Sequence, residues 1–207
     1  MHNKNMNNLN RGFSLVEIVV VVGIFGIITV AISTFQVGIF KNNKIAQDSL
    51  SSAQDARSIL GMMVRELRSA SPGNDGSFTI AQAATNTIVF YSDTDGDGLK
   101  EKIRYFLATT TLKKGSIKPT GSPLSYSIAN EKQSFLAYNI RNSTSTPLFE
   151  YFDTNYTGTS SPLTQPVSTT LVRLVKINLV IDLDPNRAPM IRSFTSQVNL
   201  RNLKDNL

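Results

Sequence analysis

Apolar residues divide this chain into regions with different periods. From Phe13 to Phe40 they fall on every side of a helical projection, and the only charged side chain is Glu17. That run exceeds the roughly 20 residues a helix needs to span a bilayer. From Lys41 the pattern becomes amphipathic. Ile45, Ala53, Ala56, Leu60, Met63, Val64 and Leu67 recur at spacings of mostly three, four or seven. Lys44, Asp48, Gln54, Asp55, Arg57, Arg65 and Arg68 lie largely between them. This is the period of a helix with one apolar face. Ser71-Pro72-Gly73-Asn74 stops it, because proline cannot continue a helix and glycine favours its end. One helix is predicted from Ser14 to Ala70, apolar all round in its first half and one-faced in its second. Gly23, Gly26 and Gly38 interrupt it, each lowering local helix stability by about 1 kcal/mol relative to alanine.

After Pro72 the period changes to two. Ser77–Ile80 and Thr87–Tyr91 are short β-rich runs, and Lys102–Leu107 alternates. Leu112–Ile117 returns as a hairpin partner, and Phe135–Ile140 and Leu148–Phe152 are further strand candidates. Thr154–Thr170 is rich in Ser, Thr, Pro and Gly and reads as a loop. Val172–Leu183 and Met190–Leu200 carry the strongest strand signal, with a turn at Asp184-Pro185-Asn186-Arg187. The expected class is α+β: a long N-terminal helix packed on an antiparallel β-sheet whose apolar face buries the helix stripe. The expected divisions are a leader over 1–12, a membrane helix over 13–40, its amphipathic continuation over 41–71 and a globular β domain over 72–207.

Composition narrows the chemistry. Of 207 residues none is cysteine, so the domain folds without disulfides. The single histidine, His2, falls in the leader. Without His or Cys the rest of the chain lacks most zinc sites and most nucleophile–base pairs. No Gly-x-Ser-x-Gly, His-Glu-x-x-His or phosphate loop occurs, and no enzymatic activity is expected. The formal charge of the full chain is +6, two units of it from Lys4 and Arg11 in the leader. The remaining basic residues are scattered, with small groups at Lys113-Lys114 and at Arg201 with Lys204. Nucleic-acid sites show denser patches, so nucleic acid is not an expected partner.

Arg11-Gly12-Phe13-Ser14-Leu15-Val16-Glu17 carries the sharpest chemistry. A charged residue in mid-membrane costs about 2.5–3.5 kcal/mol on translocon scales, less near an end, and marks function with a partner. An ordinary signal peptide has an apolar region of about 7–15 residues followed by a small-residue cleavage site. Here the run is longer and the small residue, Gly12, comes first. Lys4 and Arg11 hold the leader in the cytoplasm, which places the rest of the chain outside.

Gly12-Phe13-Ser14-Leu15-Val16-Glu17 with the apolar helix behind it resembles the processing signal of type IV pilins and type II secretion pseudopilins. The resemblance covers about the first thirty residues. It implies cleavage by a prepilin peptidase between Gly12 and Phe13, methylation of the new amine at Phe13, and anchorage in the cytoplasmic membrane by one helix. It implies that Glu17, the acid at the fifth mature position, pairs with the N-terminal amine of a neighbouring subunit or its own. The implied partners are other pilin or pseudopilin subunits, the peptidase, an inner-membrane assembly platform and the lipid bilayer. Many pilins of didermal bacteria close a C-terminal loop with a disulfide, which a chain without cysteine does not share. Its length and two long closing strands look like the J/W-like group of minor pilins and pseudopilins. A ligand-binding filament subunit, for DNA uptake or adhesion, is the alternative, and it requires a contiguous basic or aromatic face. Tyr126, Tyr138, Tyr151 and Tyr156 are available for one.

A second motif is Asp93-Thr94-Asp95-Gly96-Asp97-Gly98. Its D-x-D-x-D-G spacing begins a calcium loop, in which alternate acids converge on a hard cation and glycine permits the sharp turn. Leu99 offers a carbonyl and Glu101 an acid at the ninth position, but the twelfth is Arg104 rather than the bidentate glutamate. Asp-Gly between two strand runs is equally a hairpin-turn signal. Calcium held by Asp93, Asp95, Asp97 and Glu101 and a plain turn both stand as readings.

Overall fold

The computed structural model describes residues 12–182 and 191–200. The turn at Asp184–Arg187, with Leu183 and Met190, and the basic pair Arg201 and Lys204 lie outside the described residues, as does the leader before Gly12. Helix α1 runs over Leu15–Arg68, 54 residues, inside the predicted limits by one residue at its start and two at its end. Two compact units make up the chain, residues 1–48 and 49–207.

In the first unit the apolar side chains of α1 from Leu15 to Phe40 point outward on all sides. A helix apolar all round has no favoured face in water. Its hydroxyls are satisfied internally. Thr29 Oγ1 donates to the Phe25 carbonyl at 2.7 Å, Ser33 Oγ to Thr29 at 2.8 Å and Thr34 Oγ1 to Ala31 at 2.9 Å. These bonds remove the polar groups that lipid would otherwise penalise.

In the second unit the end of α1 buries Ala56, Ile59, Leu60, Met63 and Leu67, and Ala70 just beyond continues the stripe. Ile59 belongs to this face although the sequence pattern above omitted it. Two polar bonds fix the helix against the sheet. Tyr105 Oη donates to Glu66 Oε2 at 2.7 Å, and Lys114 Nζ donates to Glu66 Oε1 at 2.5 Å. Burial and the neighbouring Glu66 charge push the Tyr105 phenol far up, so it stays a donor. Ser71 N–H then bonds the Tyr91 carbonyl at 2.9 Å, turning the chain into the strands.

Among the described residues eight strands follow: β1 Ile80–Ala84, β2 Thr87–Ser92, β3 Glu101–Ala108, β4 Thr111–Ile117, β5 Lys132–Ala137, β6 Phe149–Phe152, β7 Leu174–Asp182 and β8 Ile191–Asn199. They form two antiparallel sheets rather than the one expected. One is a five-stranded meander, β1-β2-β3-β4-β5, and the other is β6-β7-β8. They are stitched together at two places. Ile140 bridges Ile181, and Tyr151 Oη on β6 donates to the Ala84 carbonyl at 2.8 Å. The first strand also sits later than Ser77–Ile80. Its partner β2 closes a two-residue turn at Thr85-Asn86, pairing Ala84 with Thr87, and this pairing overrides the weak strand preference of Ala81, Ala83 and Ala84. A single apolar core unites the helix stripe with Ile88 and Phe90 of β2, Ile103 and Tyr105 of β3, and Val175, Ile177 and Leu179 of β7.

The turn between β3 and β4 places Thr109 at φ 55°. A β-branched residue in the left-handed region is strained. Replacing Thr109 with glycine should relieve that strain and stabilise the domain by on the order of 1 kcal/mol. Thermal unfolding of Thr109→Gly beside the parent chain measures it; a lower melting temperature would show that the threonine side chain makes a compensating contact.

Candidate functional site

Gly12, Phe13 and Ser14 precede α1, and the Ser14 carbonyl accepts the Ile18 N–H at 3.2 Å as the first turn closes. Phe13 is 79% exposed. Glu17 lies in this first turn, where the unpaired N–H groups and the helix dipole favour an anion. Among the described residues, no side chain or backbone group bonds its carboxylate. A Cβ built on Gly12 meets nothing within 4 Å. Neither crowding nor backbone conformation demands glycine at that position.

Residues 7–33 match the prokaryotic N-terminal methylation motif. The chain carries a prepilin-type N-terminus. No curated protein matches it. The motif supports a type IV pilin-like or pseudopilin subunit and implies pilin subunits and a prepilin peptidase as partners. Helix α1 is long and apolar enough at its start to cross a membrane, and that apolar stretch is exposed, which fits a membrane-anchored subunit.

The acidic motif of this prepilin-type chain forms the turn between β2 and β3. One carboxylate oxygen from each of Asp93, Asp95 and Glu101 lies within 4.8 Å of the others. Asp93 shapes the loop, accepting Gly96 N–H at 2.7 Å through Oδ1 and Gly98 N–H at 3.0 Å through Oδ2. Gly96 and Gly98 have φ of 79° and 89°, so the two tight bends need glycine. Asp97 is not in the converging group. Its Oδ1 accepts Leu99 N–H at 2.8 Å and its Oδ2 accepts the Lys118 ammonium, which also reaches Asp95 Oδ2 at 3.1 Å. The bond to Lys118, with that from Leu99 N–H, holds the Asp97 carboxyl below its usual range, and Asp97 with Asp95 raises Lys118.

Glu101 opens β3 on the same face as Ile103 and Tyr105. Strand alternation therefore turns its carboxylate inward beneath the loop. It is 4% exposed. Its Oε2 accepts both the N–H and the hydroxyl of Thr94, at 2.9 and 2.8 Å, whereas Oε1 is buried with no partner. Arg104, the twelfth position of the motif, lies on the other face, paired through two bonds with Glu131 and stacked over Phe106.

Sequence reasoning assigned no part in this turn to Thr94, Lys118, Asn74 or Tyr126. Lys118 was within reach, since the β3–β4 register pairs Lys102 with Ile117 and one further step sets Lys118 beside Glu101. No sequence signal points to Asn74, whose Oδ1 accepts Lys100 N–H at 2.6 Å, or to Tyr126. Tyr126 Oη accepts Asn74 N–H at 3.1 Å and donates to the Lys100 carbonyl at 2.7 Å. Of the four tyrosines available for an aromatic face, Tyr151 is buried. Tyr126 packs on Tyr91, Tyr156 packs on Phe152, and exposed Tyr138 stacks on exposed Phe135.

Tyr126→Phe removes both bonds to the hairpin base while keeping the ring. It should lower stability by about 1–2 kcal/mol, read as a lower midpoint in denaturant unfolding; an unchanged midpoint would mean that water serves Asn74 and Lys100 equally well.

Proposed function

We propose that this chain is a structural, non-enzymatic minor pilin or pseudopilin subunit. It is cut after Gly12 and enters a filament through α1. The observation that carries this reading is the start of α1, where an outward-facing apolar helix holds one carboxylate, Glu17, without a partner among the described residues. A carboxylate in lipid requires a countercharge. Cleavage between Gly12 and Phe13 creates one, since a new amine at Phe13 is cationic and lies four residues before Glu17. A neighbouring subunit's amine serves equally, and that second option joins subunits. The apolar surface from Leu15 to Phe40 contacts lipid before assembly and other helices afterwards. The domain over 49–207 then stands outside the membrane.

The open space around Gly12 supports the processing step. The fold tolerates a side chain there, so a requirement for glycine would come from the peptidase. Intact-mass measurement of the membrane-extracted protein should show a chain beginning at Phe13 and carrying an N-methyl group. Gly12→Val should abolish cleavage by crowding the peptidase with a β-branched side chain, and a chain retaining Met1 in cells that hold the peptidase refutes the reading.

Assembly depends on Glu17. Glu17→Val removes the countercharge for the Phe13 amine while making the helix more soluble in lipid. Processing and insertion should persist, and recovery of the subunit in sheared filament fractions should fall at least about tenfold, as expected for losing on the order of 1.4 kcal/mol or more per contact. Wild-type recovery of the variant would show that assembly does not use this carboxylate.

A further inference from the structure

We infer that the β2–β3 hairpin is a calcium site, with Asp93, Asp95 and Glu101 as its carboxylate ligands and Lys118 as the cation that competes for it. Two independent observations carry this. The first is convergence, with one oxygen from each of the three acids within 4.8 Å of the others. The second is Glu101 itself. At 4% exposure it is a buried carboxylate whose Oε1 has no partner. Burying an ionised carboxylate is costly unless each oxygen is compensated. Thr94 satisfies only Oε2, and Lys118 engages Asp95 and Asp97 rather than Glu101. A divalent ion between Asp93, Asp95 and Glu101 supplies the missing charge.

The donor chemistry favours calcium. Every candidate ligand is a carboxylate oxygen, and the loop offers these oxygens at irregular positions. Calcium accepts six to eight such oxygens in flexible geometry, whereas magnesium demands a near-ideal octahedron and sheds water reluctantly. The N–H groups of Gly96 and Gly98 already orient the Asp93 carboxylate, and each of its oxygens keeps a further lone pair. Glu101 at the ninth position takes the part that the twelfth would have, since Arg104 there is committed to Glu131 on the opposite face. Lys118 is about half-exposed, so its ammonium can leave Asp95 for water when the ion arrives.

Calorimetric titration of the full chain in detergent micelles with calcium chloride, and in parallel with magnesium chloride, tests the site. Calcium should bind with Kd of about 10⁻⁴–10⁻³ M. Glu101→Gln should weaken binding at least about tenfold, and Lys118→Gln, which removes a competing positive charge, should tighten it roughly three- to tenfold. The second variant is at the surface and keeps the test decisive if Glu101→Gln fails to fold. Absence of binding at about 10 mM calcium, well above the weak limit, overturns the proposal. So does equal binding of magnesium, unchanged affinity in folded Glu101→Gln, or an affinity for Lys118→Gln that does not rise.

Discussion

The globular unit depends on the apolar stripe of α1 formed by Ala56, Ile59, Leu60, Met63 and Leu67. Each large side chain buried there contributes about 1.5–3 kcal/mol relative to exposure, and the stripe shares one core with strands of both sheets. The stripe dictates which strand residues face inward: Ile103 and Tyr105 on β3, Ile88 and Phe90 on β2, Val175, Ile177 and Leu179 on β7. Hydrophobic contact alone allows a helix to slide or rotate. Glu66 restricts both, because its two oxygens are held separately by Tyr105 on β3 and Lys114 on β4. Those two residues are cross-strand partners in the β3–β4 register, so the clamp also reports that the hairpin is correctly paired.

That register positions the rest. Once Tyr105 faces the helix, alternation places Glu101, four residues earlier, on the same inward face, now at the end of the sheet where the apolar core gives way to the β2–β3 loop. A glutamate there is neither solvated nor in the core. Thr94 and the glycine bends are arranged around it, and Asn74 and Tyr126 brace the strand start at Lys100. The hairpin chemistry is thus a consequence of where the helix sets the sheet.

Much of this was legible in the chain because it is local. The helix and its stop at Pro72 follow from period and a proline, and the alternation from Lys102 to Leu107 located β3 to within a residue at each end. The N-terminal methylation motif was legible for the same reason, since Gly12, Phe13 and Glu17 lie within one short segment. What escaped notice is set by tertiary contact. The strand at Ile80–Ala84 has poor intrinsic preference and exists because β2 pairs with it. Splitting into two sheets depends on where β6 docks, through Tyr151 and the turn at Thr85-Asn86. In the acidic turn the spacing of Asp93, Asp95 and Asp97 was visible, but spacing cannot say that Asp97 turns away to Lys118 while Glu101 turns in. Only the β3–β4 pairing decides that.

Glu17, set in an apolar run, and Glu101, buried beneath the β2–β3 loop, are carboxylates that the described residues leave without full compensation. Glu66, Glu131 and Glu150 show the ordinary solution, since each meets a lysine or arginine from its own domain. A sequence that supplies such partners three times has no general difficulty in doing so. Where it withholds them, the energetic deficit remains as a preference for whatever brings positive charge from outside the chain. For Glu17 the proposed source is another charged group carried into the same apolar environment, an N-terminal amine. For Glu101 the proposed source is a small hard cation, since Asp93 and Asp95 on the loop bring their oxygens to the buried carboxylate. On the two proposals, one electrostatic deficit is met by a protein partner at the start of α1 and by an ion in the β2–β3 loop, and the environment of each carboxylate separates the two cases.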